Sequence, residues 1–170
     1  LFVNLITDGL PAIALAVDPP DPDIMKQKPR PRNQGIFTRP VLFLILIGGV
    51  WSCLVNVGIF KWALDSGRSM LEAQGLCFVS LIIIQFFKAY NFRSDKHSIF
   101  KIGFFGNKWL NLSILGEILL LLIIIYWPSL HEPFRTFSLT ASDWLRVVLL
   151  SSTIFPIIEF SKFLVRRLEK

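Results

Sequence analysis

Long apolar runs separated by short polar and basic connections dominate this chain. The runs extend from Leu1 to about Val17, from Pro40 to about Leu64, from Leu71 to about Tyr90, from Leu110 to Trp127 and from Trp144 to about Val165. A helix needs about 20 apolar residues to cross the hydrocarbon of a bilayer. Four runs reach that length and the first nearly does. Lipid cannot satisfy an open backbone, so a helix is the expected form of each. The predicted fold is an all-α membrane protein, a bundle of five transmembrane helices at about 1–17, 40–64, 71–91, 110–127 and 143–166. Two loops, 18–39 and 92–109, then share one face of the membrane.

Composition supports the bilayer as solvent. Hydrophobic residues make up 53% of 170 residues and charged ones only 18%, more apolar surface than a soluble domain of this size can bury. The net charge of +6 would raise nucleic acid as a partner in a soluble protein. Here the basic residues sit between apolar runs, so they speak for membrane orientation, with lipid and no nucleic acid as partner.

Of the 18 Lys and Arg, all but Lys61, Arg68, Arg135 and Arg146 fall in 18–39, in 88–108 or at the C-terminus. The positive-inside rule makes that face cytoplasmic, which places the C-terminus there. The chain then reads as an integral, multi-pass protein of the plasma membrane or an internal membrane. Trp62, Trp109, Trp127 and Trp144 lie near helix ends, as an interfacial belt would place them; Trp51 does not. Cys53 and Cys77 lie within apolar runs and read as packing residues. The chain opens on Leu1 inside an apolar run, without an initiator Met or a basic leader, and is expected to be part of something longer.

Asn4-Leu5-Ile6-Thr7-Asp8-Gly9-Leu10-Pro11 carries the most specific chemistry. A carboxylate inside a membrane helix is costly and usually functional. Asn4 and Asp8 are four apart and share a helix face, with Thr7 adjoining. An amide oxygen, a hydroxyl and a carboxylate form a set of hard ligands suited to calcium or another hard cation. Pro11 disfavours a helical bond to the Thr7 carbonyl and Gly9 weakens the helix, so the first helix is expected to break near Gly9 and Pro11. Broken membrane helices expose carbonyls to bound ions in transporters. Capping of a helix by Asp8, or pairing with a basic neighbour, is the alternative.

The segment Asn4 to Ala12 resembles the sixth transmembrane helix of type II P-type ATPases, closest to calcium pumps of the sarcoplasmic-reticulum type and their relatives. Asp18-Pro19-Pro20-Asp21-Pro22-Asp23-Ile24-Met25 is similar to the start of their loop between helices six and seven. Asn107-Lys108-Trp109-Leu110-Asn111 resembles the start of helix nine, and Asp143 through Phe163 resembles helix ten. The resemblance covers essentially the whole chain as helices six to ten. It implies ion-ligand roles for Asn4 and Asp8, and for Thr7 a place in a second site where two ions are carried.

Where two-calcium pumps have an acidic ligand in helix eight, this chain has Gln85. Plasma-membrane-type calcium pumps resemble it in having an amide there, which implies one calcium per cycle. An interhelical hydrogen bond is the alternative role for Gln85. The family also forms an aspartyl phosphate from ATP and magnesium in cytoplasmic domains. No Asp-Lys-Thr-Gly-Thr motif or Gly-rich phosphate loop occurs here, so this chain alone is not expected to hydrolyse ATP. Its partners would be the remaining helices and cytoplasmic domains of the same pump. Other expectations are a pump for sodium, protons or manganese, or a stand-alone channel or accessory protein without enzymatic activity.

Glu117, inside the fourth run, is a functional candidate by default, or pairs with a basic residue or is protonated at the bundle edge. Glu159 is expected to pair with Lys162. Lys88 is expected to snorkel. His97 and His131 read as solvated loop residues, and Gly48-Gly49 as a close-packing site. Asp18, Asp21 and Asp23 read as a solvated turn or as a lure for cations.

Overall fold

The computed structural model describes residues 7–21, 23–26 and 35–168. Among these the chain is helical throughout, without strands. A short helix α1 (Gly9–Ala16) is followed by a 3-10 turn, then by α2 (Arg39–Asp65) and α3 (Met70–Asn91). A connection containing α4 (Ile99–Ile102) and a second 3-10 turn leads to α5 (Lys108–Tyr126). Helices α6 (Pro128–Phe134), α7 (Ala141–Ser152) and α8 (Ile154–Leu168) complete the chain. Four helices are long and apolar enough to cross a membrane: α2, α3, α5 and the combined α7–α8 stretch.

Local chemistry explains the boundaries. Thr38 accepts from the Val41 amide and starts α2, with Pro40 in the first turn where no donor is missed. Gly67 adopts φ 77°, a left-handed conformation that closes α2 tightly and brings α3 back antiparallel. Ser69 and Glu72 then form a reciprocal capping box at the start of α3. Thr140 and Asp143 form another at the start of α7.

The bundle is apolar outside and partly polar inside. Leu46, Val50, Leu54 and Val57 on α2, and Leu112, Leu115 and Leu119 on α5, all face outward. Ser80, Glu117, Asp143, Ser151 and Lys162 are buried. A soluble protein does not present so large an apolar surface, whereas lipid is its natural complement. Helix α2 packs on α3 and α8, α3 packs on α7, and α1 lies against α5 and α3. Ile59, Ala63, Leu76, Val79, Ile82 and Leu110 form the centre of the core.

The glycines divide by their surroundings. A Cβ on Gly48 would reach ordinary contact with Phe92 and Ile158, so Gly48 faces the bundle, whereas Gly49 faces open space. A tighter approach is at Gly75, where a Cβ would meet Phe137, in the connection between α6 and α7, at 3.0 Å. The expected Gly48-Gly49 packing site is therefore half of a pair, and Gly75 is the closer contact.

The last apolar run is not one uninterrupted helix. It breaks at Thr153 between α7 and α8. Pro156 lies four residues beyond Ser152, and its ring opposes a helical bond to that carbonyl. Trp51 meets the break by donating from Nε1 to Thr153 Oγ1 at 2.9 Å. This interior role explains why Trp51 stands apart from the interfacial tryptophans.

One end of the bundle is tied together by ionic contacts. Arg93 donates to both oxygens of Asp18, at 3.1 and 3.0 Å, and to the Gly103 carbonyl. Ser94 donates to Asp21 at 2.9 Å. His97 and Lys101 approach Asp23 at 3.3 and 3.5 Å. These acids thus hold the segment after α1 against the α3–α5 connection, in place of the solvated turn expected. His97 is paired, and His131 sits in α6 with Nε2 2.8 Å from the Ile125 carbonyl, so neither is an isolated loop residue. Lys162 does pair with Glu159 at 3.4 Å, but it is fully buried and also donates to the carbonyls of Asn91 and His97.

Candidate functional site

The site forms where α1 begins. Thr7 lies in a wide helical turn, Asp8 in a turn, and regular helix starts at Gly9. Asp8 keeps a right-handed helical backbone, φ −101° and ψ −36°, and the stretch ahead of Thr7, on which the expected break near Gly9 and Pro11 depends, lies outside the described residues. Pro11 occupies the third helical position, where its absent amide would have had no intrahelical acceptor. The first helical bond runs from the Ala12 amide to the Asp8 carbonyl at 3.2 Å. Asp8 occupies the N-cap position, yet its side chain makes no capping hydrogen bond. That removes the capping alternative and leaves the carboxylate directed elsewhere.

Two locks hold α1 in place. Asn107 donates from Nδ2 to the Ala14 carbonyl at 2.8 Å, while its Oδ1 accepts from the Leu110 amide at 3.0 Å. One buried side chain therefore closes the end of α1 and opens α5. Asp18, just beyond α1, is clamped by Arg93. With these anchors, Thr7 and Asp8 face α3 across a cavity of about 230 Å³.

The cavity brings together three of the four expected ligands. Thr7 and Asp8 line it from the α1 side and Gln85 from α3. Thr7 is buried, and Asp8 and Gln85 are half-buried. Asn4, the fourth, lies outside the described residues, as does the helical stripe that would align it with Asp8.

Sequence reasoning missed Lys88. It lines the same cavity as Asp8, one helical turn beyond Gln85. Among the described residues, no basic group lies within ion-pairing distance, 4.0 Å, of the Asp8 carboxylate. The available signal was the three-residue spacing from Gln85, which puts both side chains on one face of α3. Glu117 is buried on α5, accepts from Ser113 Oγ at 3.3 Å and leaves Oε2 without a hydrogen-bond partner. Among the described residues no basic side chain pairs with it, contrary to one expectation for it.

The arrangement is a small, partly polar open cleft lined by α1 and α3, offering hydroxyl, carboxylate and amide oxygens beside one ammonium. Such oxygens suit a hard cation. Among the described residues no three His, Cys, Asp or Glu side chains cluster.

Comparison with known proteins gives the family. The family described as cation transporting ATPase, C-terminus, matches residues 1–164. A calcium-transporting ATPase 1 of Bacillus cereus is 40% identical over 93% of this chain and 19% of its own length. A calcium-transporting ATPase of Bacillus subtilis is 35% identical over 89% of this chain and 17% of its own length. The calcium-transporting ATPase type 2C member 1 of Bos taurus is 31% identical over 100% of this chain and 18% of its own length. The chain thus spans under a fifth of the length of these relatives. With its family match over nearly every residue and its membrane-spanning helices, this chain belongs to the cation-transporting ATPases as their C-terminal membrane region.

Proposed function

We propose that residues 1–170 form the C-terminal transmembrane domain, helices six to ten, of an ATP-driven calcium pump. Asn4, Asp8, Thr7 and Gln85 contribute oxygens to its transport site. The observation that carries this is the meeting of Thr7, Asp8 and Gln85 around one cavity at the start of α1. The relatives' names supply the ion, since carboxylate, hydroxyl and amide oxygens alone suit several hard cations. Calcium takes 6–8 oxygens, so these residues would share it with ligands from the pump's other helices.

In the whole pump, ATP and magnesium would act in cytoplasmic domains, and aspartyl phosphorylation there would move helices that open the cavity to alternate sides. The basic face, with the C-terminus, would be cytoplasmic. An amide at Gln85 in place of a carboxylate supports a single calcium per cycle. Phosphorylation of the full-length protein by ATP, titrated with calcium and then with manganese and sodium, tests the assignment. Half-saturation by micromolar calcium is expected. Phosphorylation indifferent to calcium would overturn it, and a manganese or sodium requirement would change the ion.

A further inference from the structure

We propose that Lys88 is a built-in counter-cation of the transport site, neutralising Asp8 when the site is empty and opposing the incoming ion. The inference rests on the transport-site assignment above.

An ammonium within a membrane-spanning helix is tolerated when it pairs with an acid or reaches the interface. Lys88 lies one turn from the end of α3 at Asn91, so snorkelling is within its reach. Its side chain instead helps wall the cavity that Asp8 lines. Among the described residues Lys88 forms no ion pair with any other acid. Asp8 forms no side-chain cap bond that would satisfy it at the start of α1.

The two opposite charges therefore face each other across the cavity, more than 4.0 Å apart, with Gln85 on the same wall as Lys88. A divalent cation entering there meets attraction from Asp8 and repulsion from Lys88. Repulsion over such distances is large in a medium of low dielectric constant, so the fixed cation sets a ceiling on affinity. Once the ion leaves, the same ammonium keeps the carboxylate from standing uncompensated inside the membrane. Lys88 thus acts on both ends of one cycle: it weakens binding and stabilises the empty site.

The test uses the full-length pump carrying Lys88→Gln, Lys88→Met or Lys88→Arg. Removing the charge is expected to lower the calcium concentration for half-maximal phosphorylation about tenfold. It is also expected to slow phosphoenzyme breakdown, because the emptied site then holds a bare carboxylate. Lys88→Arg, which keeps the charge, should shift both much less. Lys88→Met preserves the apolar stem and serves if Lys88→Gln inserts poorly.

Unchanged or weakened calcium affinity in a phosphorylatable Gln or Met variant would overturn the proposal. So would a loss of thermal stability without any shift in calcium dependence, which would mark Lys88 as structural. A wild-type pump phosphorylated without regard to calcium would instead sink the transport-site assignment, and this inference with it.

Discussion

Trp51 and Thr153, 102 residues apart, meet in a 2.9 Å hydrogen bond where the last membrane-spanning stretch breaks. Thr153 Oγ1 also donates to the Leu150 carbonyl, one of those left near the end of α7. The indole therefore braces a weak point that Pro156 creates. Trp51→Phe, which keeps the ring and loses the donor, should lower stability in detergent by about 0.6–1.7 kcal/mol. Thermal or denaturant unfolding of the full-length protein measures this, and no loss would show the bond to be energetically idle.

Arg68 and Asp143 join the α2–α3 turn to the start of α7. Asp143 is fully buried, and its carboxylate also accepts from Thr140 in the capping box. Asp143→Asn leaves Arg68 with a weaker acceptor and should cost about 1–3 kcal/mol. Asp143→Glu, too long for the box, should not restore the loss. The same unfolding measurement decides, and a neutral Asp143→Asn would show that Glu72 at 3.9 Å suffices for Arg68.

Gly75 and Gly49 should respond oppositely to larger side chains. Gly75→Leu must displace Phe137, whose ring already lies 3.0 Å from the added Cβ, and should destabilise by about 1–3 kcal/mol. Gly49→Leu meets open space and gains helix propensity, so it should be neutral or mildly stabilising. Combining Gly75→Leu with Phe137→Ala should recover part of the Gly75→Leu loss. Equal effects at the two glycines would contradict the packing.

Asp8→Asn in the full-length pump should abolish calcium-activated phosphorylation by ATP while leaving the protein inserted. The amide keeps the size but loses the charge that a divalent cation needs. Calcium activation at wild-type affinity would remove Asp8 from the site.

The single-ion proposal rests on Gln85. A single site predicts one calcium bound per phosphorylatable pump at saturation, by direct equilibrium binding. Two bound ions would overturn the single-site proposal.

Much of the architecture is legible in the chain itself, because a bilayer restricts its spans to long apolar helices and their period needs no tertiary information. The runs at α2, α3 and α5 announce themselves this way, as do Gly9 and Pro11 at the helix start. Asp8, Thr7 and Gln85 stand out because polar groups are rare among such residues. Side-chain partnerships between distant segments are different. The spacing from Gln85 puts Lys88 on one face of α3, but whether that face meets the cavity that Asp8 lines is decided by the docking of α1, fixed by Asn107 and the Asp18–Arg93 clamp. His97, Gly75 and Trp51 repeat the pattern, since their partners Asp23, Phe137 and Thr153 are 62 residues or more away in sequence. The sequence by itself determined the helices and the candidate oxygens, because hydropathy and ligand chemistry are properties of single residues. Which of those groups share one cavity was decided by tertiary structure, because only packing sets distances between helices.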